Sequence, residues 1–166
     1  MKNKRLYIVD IDHTLIISSF SQIASIPLVS KRKNHFLYHR PFLSDFLKYL
    51  SKTGEVVFYT SAKKDYANWI LKTFNFNFDF DFDLFTRKFC RVKYDKFGVF
   101  YYKSIDFLPI DTFNHDVIVI DDRIDLWLDN NQKIKFIDLK PYNGEIQDST
   151  LLDFVIKQLK NQPKIE

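Results

Sequence analysis

The chain has 166 residues, 46% of them apolar and 28% charged, with a net charge of +4 and a pI near 9.0. This length implies one domain over residues 1–166 that buries its own core without disulfide or metal staples. The single cysteine, Cys90, excludes an intramolecular disulfide and points to a reducing, cytoplasmic compartment. No apolar stretch of about 18 residues exists, so no transmembrane helix and no membrane partner are expected. The basic balance favours anionic partners.

Residues 6–9, Leu-Tyr-Ile-Val, form a compact apolar run bounded by charges, the pattern of a buried parallel strand. Pro41 lies near the start of a helical segment, with Phe42, Phe46, Leu47 and Leu50 on one face and Gly54 closing it. Residues 55–60 read as a second buried strand, and 66–74 as a helix. Residues 74–83 alternate Phe with Asn or Asp at period two, which reads as an irregular connection leading into a strand. Residues 84–102 suit a small β insertion with Gly98 at its turn. Val117–Ile120 and 134–137 are further buried runs, and 148–159 reads as a closing helix. Strands alternating with helices imply a mostly parallel sheet covered on both faces.

In such sheets ligands bind at the carboxyl ends of the strands. Here those ends carry Asp10 and Asp12, then Thr60 and Ser61, then Asp121 and Asp122, with Lys103 ahead of the last pair. Phosphate monoesters demand a nucleophile, a proton donor, a cation to offset phosphate charge, and donors for its oxygens. Two aspartates spaced two apart on an extended strand end point the same way. One can attack phosphorus while the other protonates the leaving oxygen. A third carboxylate completes a hard oxygen site of the kind Mg²⁺ prefers. Thr60 can hydrogen-bond a phosphoryl group and Lys103 can neutralise it.

Asp10-Ile11-Asp12-His13-Thr14-Leu15 matches the DxDxT-L motif of haloacid-dehalogenase-superfamily phosphatases. More narrowly, the chain resembles the FCP/SCP-type branch, the phosphatases of the RNA polymerase C-terminal domain. Its further motifs read here as His39-Arg40-Pro41, Phe58-Tyr59-Thr60-Ser61-Ala62, Lys103 and Asp121-Asp122. The resemblance implies a three-layer α/β/α Rossmann-like fold with a small β insertion and no large cap. It also implies a Mg²⁺-dependent phosphomonoester hydrolase working through an aspartyl-phosphate. Asp10 would be the nucleophile and Asp12 the general acid/base. Thr60, Ser61 and Lys103 would hold the phosphoryl group, with Arg40 and Tyr66 also at the substrate. Asp10, Asp12, Asp121 and Asp122 would hold the Mg²⁺. The substrate class implied is phosphoserine or phosphothreonine protein.

Two departures stand out. His13 replaces the usual Glu or Gln, and residues 16–38 are shorter than the family's groove-forming segment. A nucleotide or nucleic-acid end is therefore an alternative substrate, and a catalytically silent binding module of the same fold is a third reading. Lys31-Arg32-Lys33, Lys63-Lys64 and Arg87-Lys88 are basic clusters that would bind an anionic chain if the fold gathers them beside the site.

Overall fold

The computed structural model describes residues 4–74, 80–129 and 132–160. The alternating stretch at 74–83 lies partly outside these residues.

Five parallel strands form the central sheet in the order β10-β9-β1-β5-β6. They are β1 (Lys4–Val9), β5 (Glu55–Tyr59), β6 (Phe82–Phe85), β9 (His115–Asp121) and β10 (Lys135–Asp138). β1 sits at the centre because its apolar run is buried on both faces, which only an inner strand requires. Alternation then divides the core. Tyr7, Val9, Val56, Phe58, Ile118 and Ile120 face one side, and Leu6, Ile8, Val57, Tyr59, Val117 and Val119 face the other.

The first side is covered by the three α-helices of the described residues: α1 (Leu43–Thr53), α2 (Lys64–Leu71) and α3 (Thr150–Lys160). α1 is amphipathic, burying Leu43, Phe46, Leu47 and Leu50. Its Gly54 cap donates to the Leu50 carbonyl. A Cβ on Gly54 would sit 2.6 Å from the Arg5 carbonyl oxygen, so glycine lets the helix end pass close against β1. The second side is thinner. Among the described residues no α-helix packs there; Ile105, Leu108 and Trp127, on or beside short 3₁₀ turns, close it.

Two smaller sheets project from this frame. β2 (Ile16–Ser19), β3 (Ser30–Arg32) and β4 (His35–His39) form an antiparallel sheet in the order β2-β4-β3. β7 (Arg91–Asp95) and β8 (Gly98–Tyr102) form the expected hairpin insertion. Gly98 has φ 137°, a conformation open to glycine and strained for other residues. Among the described residues no helix is long and apolar enough to cross a membrane.

Candidate active site

Parallel strands all point their carboxyl ends to one edge, and the polar residues expected there do meet. β1 runs into Asp10 and Asp12, β5 into Thr60 and Ser61, and β9 into Asp121 and Asp122, while β8 delivers Lys103. A cleft of about 200 Å³ is lined by Asp10, Asp12, Ser61, Lys103, Asp121 and Asp122, among others. The turn after β1 is tight: His13 has φ 60°, and Leu15 N–H donates to the Ile11 carbonyl at 2.9 Å. Tyr142 clamps this turn, donating its N–H to the His13 carbonyl at 2.7 Å and meeting His13 Nδ1 with its own carbonyl at 3.1 Å.

Lys103 is the hub. Its Nζ donates to Asp10 Oδ1, and also to Asp121 Oδ2 at 2.8 Å, and all three side chains are buried. Burial opposes the ammonium charge, but the two carboxylates outweigh it and hold the Lys103 pKa above its ordinary value. Burial pushes the Asp10 carboxyl upward, Lys103 works against that push, and Asp121 adds to it. Burial likewise raises the Asp12 pKa, opposed by a 2.8 Å hydrogen bond from the Tyr66 hydroxyl to Asp12 Oδ1. A carboxyl tuned upward holds its proton more readily, as a proton donor must. Thr60 Oγ1 sits 3.5 Å from Asp12 Oδ2 and accepts from the Ala62 N–H at 3.0 Å.

The donor set fits a hard divalent cation. Asp10, Asp121 and Asp122 each offer an oxygen within 4.8 Å of the others. One lysine faces Asp10 and Asp121 directly, with Asp12 and Asp122 close by, so carboxylates outnumber the cation in a buried place. Burial and the neighbouring Asp121 charge also raise the Asp122 pKa. Excess buried negative charge with all-oxygen donors is the setting for a hard divalent metal ion.

The family model for NLI interacting factor-like phosphatases matches residues 6–164. The chain belongs to the NLI interacting factor-like phosphatase family. This is a phosphatase family of the haloacid dehalogenase superfamily. Among solved structures, the fold is similar to the fission yeast RNA polymerase II CTD phosphatase Fcp1 bound to beryllium fluoride. That likeness has a TM-score of 0.56 and 22% identity, covering 96% of this chain and 50% of that one. A second structure, of Fcp1 described as an essential RNA polymerase II CTD phosphatase, gives 0.56 and 23%, covering 96% of this chain and 49% of that one. The chain thus spans about half the length of these structures. No curated protein matches it in sequence.

Of the expected substrate residues, Ser61 and Lys103 line the cleft, Thr60 and Tyr66 stand behind it against Asp12, and Arg40 lies elsewhere. Arg40 is 1% exposed and does not line the cleft. Its Nε and Nη2 pair with both oxygens of Asp148 at 2.9 Å, and its remaining donors reach the Thr14 and Lys140 carbonyls. All three guanidinium nitrogens donate to the protein, so Arg40 buttresses the turn after Asp12 from behind. Two residues of the site, Trp127 and Tyr101, carry no motif signal in the sequence, and the motif residue Thr14 makes contacts that its motif does not announce. Trp127 Nε1 donates to Asp121 Oδ2 at 2.8 Å. Thr14 donates its hydroxyl to Asp122 Oδ1 at 3.0 Å and accepts the Asp122 N–H at 3.1 Å. Tyr101, from the hairpin, lines the cleft. Burial pushes the Cys90 thiol pKa up.

Proposed function

We propose that the protein is a Mg²⁺-dependent phosphomonoester hydrolase that acts on phosphoserine or phosphothreonine protein through Asp10. The observation that carries this reading is the convergence of Asp10, Lys103 and Asp121 in one buried cluster at the strand ends, with Asp12 beside it. In the first half-reaction an Asp10 carboxylate oxygen attacks phosphorus. The phosphorus–oxygen ester bond breaks, and Asp12 gives its proton to the leaving oxygen. In the second, Asp12 takes a proton from water, water oxygen attacks the aspartyl-phosphate, and inorganic phosphate leaves with Asp10 restored. Thr60, Ser61 and Lys103 hold the phosphoryl oxygens throughout. Asp10, Asp121, Asp122 and the Asp12 main-chain carbonyl would hold Mg²⁺, which offsets phosphoryl charge when bound.

The cleft supports a substrate on a chain. Its volume of about 200 Å³ is below the roughly 300–1,000 Å³ that encloses a whole small ligand. It has room for a phosphoryl group and little more, and over the described residues the insertion beside it is a hairpin rather than a cap. Fcp1, the similar fold, is named as a phosphatase of the RNA polymerase II CTD.

The test is hydrolysis of p-nitrophenyl phosphate and of phosphoserine peptides with and without Mg²⁺. Wild-type protein should turn over both only with Mg²⁺, and Asp10→Asn should lower turnover by at least ~10⁴-fold. Equal rates for wild type and Asp10→Asn would sink the reading. Turnover restricted to phosphorylated oligonucleotides would replace its substrate.

A further inference from the structure

The basic clusters, scattered in the sequence, are brought to one rim of the cleft. Helix α2 begins there with the exposed Lys63-Lys64 pair. On one side of this turn Arg32 Nη1 donates to the Asp65 carbonyl at 2.9 Å, placing the exposed Lys31-Arg32-Lys33 turn against it. On the other side Arg87 Nε donates to the Ser61 carbonyl at 2.7 Å, and its N–H to the Ala62 carbonyl at 2.9 Å. Ser61 itself lines the cleft. The result is a continuous run of cations from the small antiparallel sheet, across the start of α2, to the exposed Lys88. Within these clusters and the turn they flank, Asp65 is the one acid. The opposite rim is balanced: Arg123 is spent on Asp125 at 2.8 Å, and Asp122 sits beside it.

One phosphoryl group, already met by Lys103, does not require this much charge. We propose that this rim is an anion track for the substrate chain, so that the enzyme selects phosphopeptides with acidic or further phosphorylated residues flanking the one in the cleft. This rests on the phosphatase reading and names its substrate more narrowly. A peptide fits better than a nucleic acid strand. Single-stranded nucleic acid binds by stacking bases on open aromatic faces between cations. Here three rings along the track each have one face taken by a track cation: Lys31 lies 4.8 Å over Phe36, Arg87 4.3 Å over Tyr101, and Lys88 4.8 Å over Phe89. What the track presents outward is mainly exposed lysine charge, which suits carboxylates and phosphomonoesters on an extended peptide.

The test compares kcat/KM on one phosphoserine peptide series whose flanks are acidic, doubly phosphorylated, alanine or lysine, with p-nitrophenyl phosphate as reference. At low salt the acidic and doubly phosphorylated peptides should exceed the alanine peptide about tenfold, and the ratio should shrink as salt rises. The combined variant Lys31→Glu, Lys63→Glu, Lys64→Glu should lose or invert that ratio. Measuring a ratio within one preparation makes the result independent of how much protein folds. Flat flank dependence in wild-type protein that hydrolyses p-nitrophenyl phosphate overturns the track alone. Faster turnover of a 5′- or 3′-phosphorylated oligonucleotide than of the acidic peptide overturns it in favour of nucleic acid. No hydrolysis of p-nitrophenyl phosphate removes the phosphatase reading and the track with it.

Discussion

Two buried ion clusters lie on either side of the same turn, and they are built in opposite ways. Behind it, Arg40 and Asp148 pair one to one, with both carboxylate oxygens and all three guanidinium nitrogens used inside the protein. In front of it, Lys103 is shared between Asp10 and Asp121, with Asp12 and Asp122 close by. The first cluster is electrically closed and holds the chain. The second carries surplus negative charge and buried carboxyls pushed upward, which costs stability unless a cation or substrate completes it. Burial alone therefore does not mark a functional charge; imbalance does.

Removing a partner from each cluster should separate the two roles. Arg40→Ala leaves Asp148 buried without its cation and should cost about 3–5 kcal/mol of stability, the same with or without Mg²⁺. A denaturant melt showing less than about 1 kcal/mol would mean that the pair is not holding the turn. Lys103→Met should lower turnover roughly 10²–10³-fold. It also leaves Asp10 and Asp121 with no positive neighbour, so its melting temperature should rise more steeply with Mg²⁺ than that of wild type. An unchanged Mg²⁺ dependence would count against the shared-lysine account.

Smaller changes probe the edges of the comparison. Tyr66→Phe removes a hydrogen bond that holds down the Asp12 pKa, so kcat should fall about tenfold and the pH optimum should move upward. A downward shift would contradict the assignment of Asp12 as the proton donor. His39 lies one residue from Arg40 and on the closed side. Burial pulls its pKa from 6.5 down to about 4, so the fold favours the neutral ring. That contribution is present in full above pH 6.5 and is lost as pH falls from there toward about 4. His39→Phe keeps an aromatic ring against Phe74, 5.3 Å away, and should flatten the stability curve in that window.

That the residues of the open cluster meet was readable because their signal is local. Asp10 and Asp12 fall in one hexapeptide, and Thr60 and Asp121 each follow an apolar run that declares a strand. The closed side was not. Arg40 stands next to Pro41 in a motif, but its partner Asp148 lies 108 residues away, and nothing in the sequence pairs them. Trp127 gives no sign of reaching Asp121, since a 3₁₀ turn and not a regular helix brings the indole back. The sheet of β2, β3 and β4 also escaped. β3 is three residues long and mostly polar, so it offers no alternation to detect. That same sheet brings Lys31-Arg32-Lys33 against the start of α2, a placement that rests on tertiary structure and that the charge run alone does not show.

The central claim is that Asp10 forms a covalent bond to phosphorus. Its most direct test is acid quenching of wild-type and Asp10→Asn protein during turnover of a phosphomonoester with Mg²⁺, followed by mass spectrometry of the proteolysed chain. The account predicts a phosphoryl group on the peptide containing Asp10 in wild type and none in the variant. A phosphoryl group on another residue, or active protein that never carries one while its product shows direct attack by water, would contradict it.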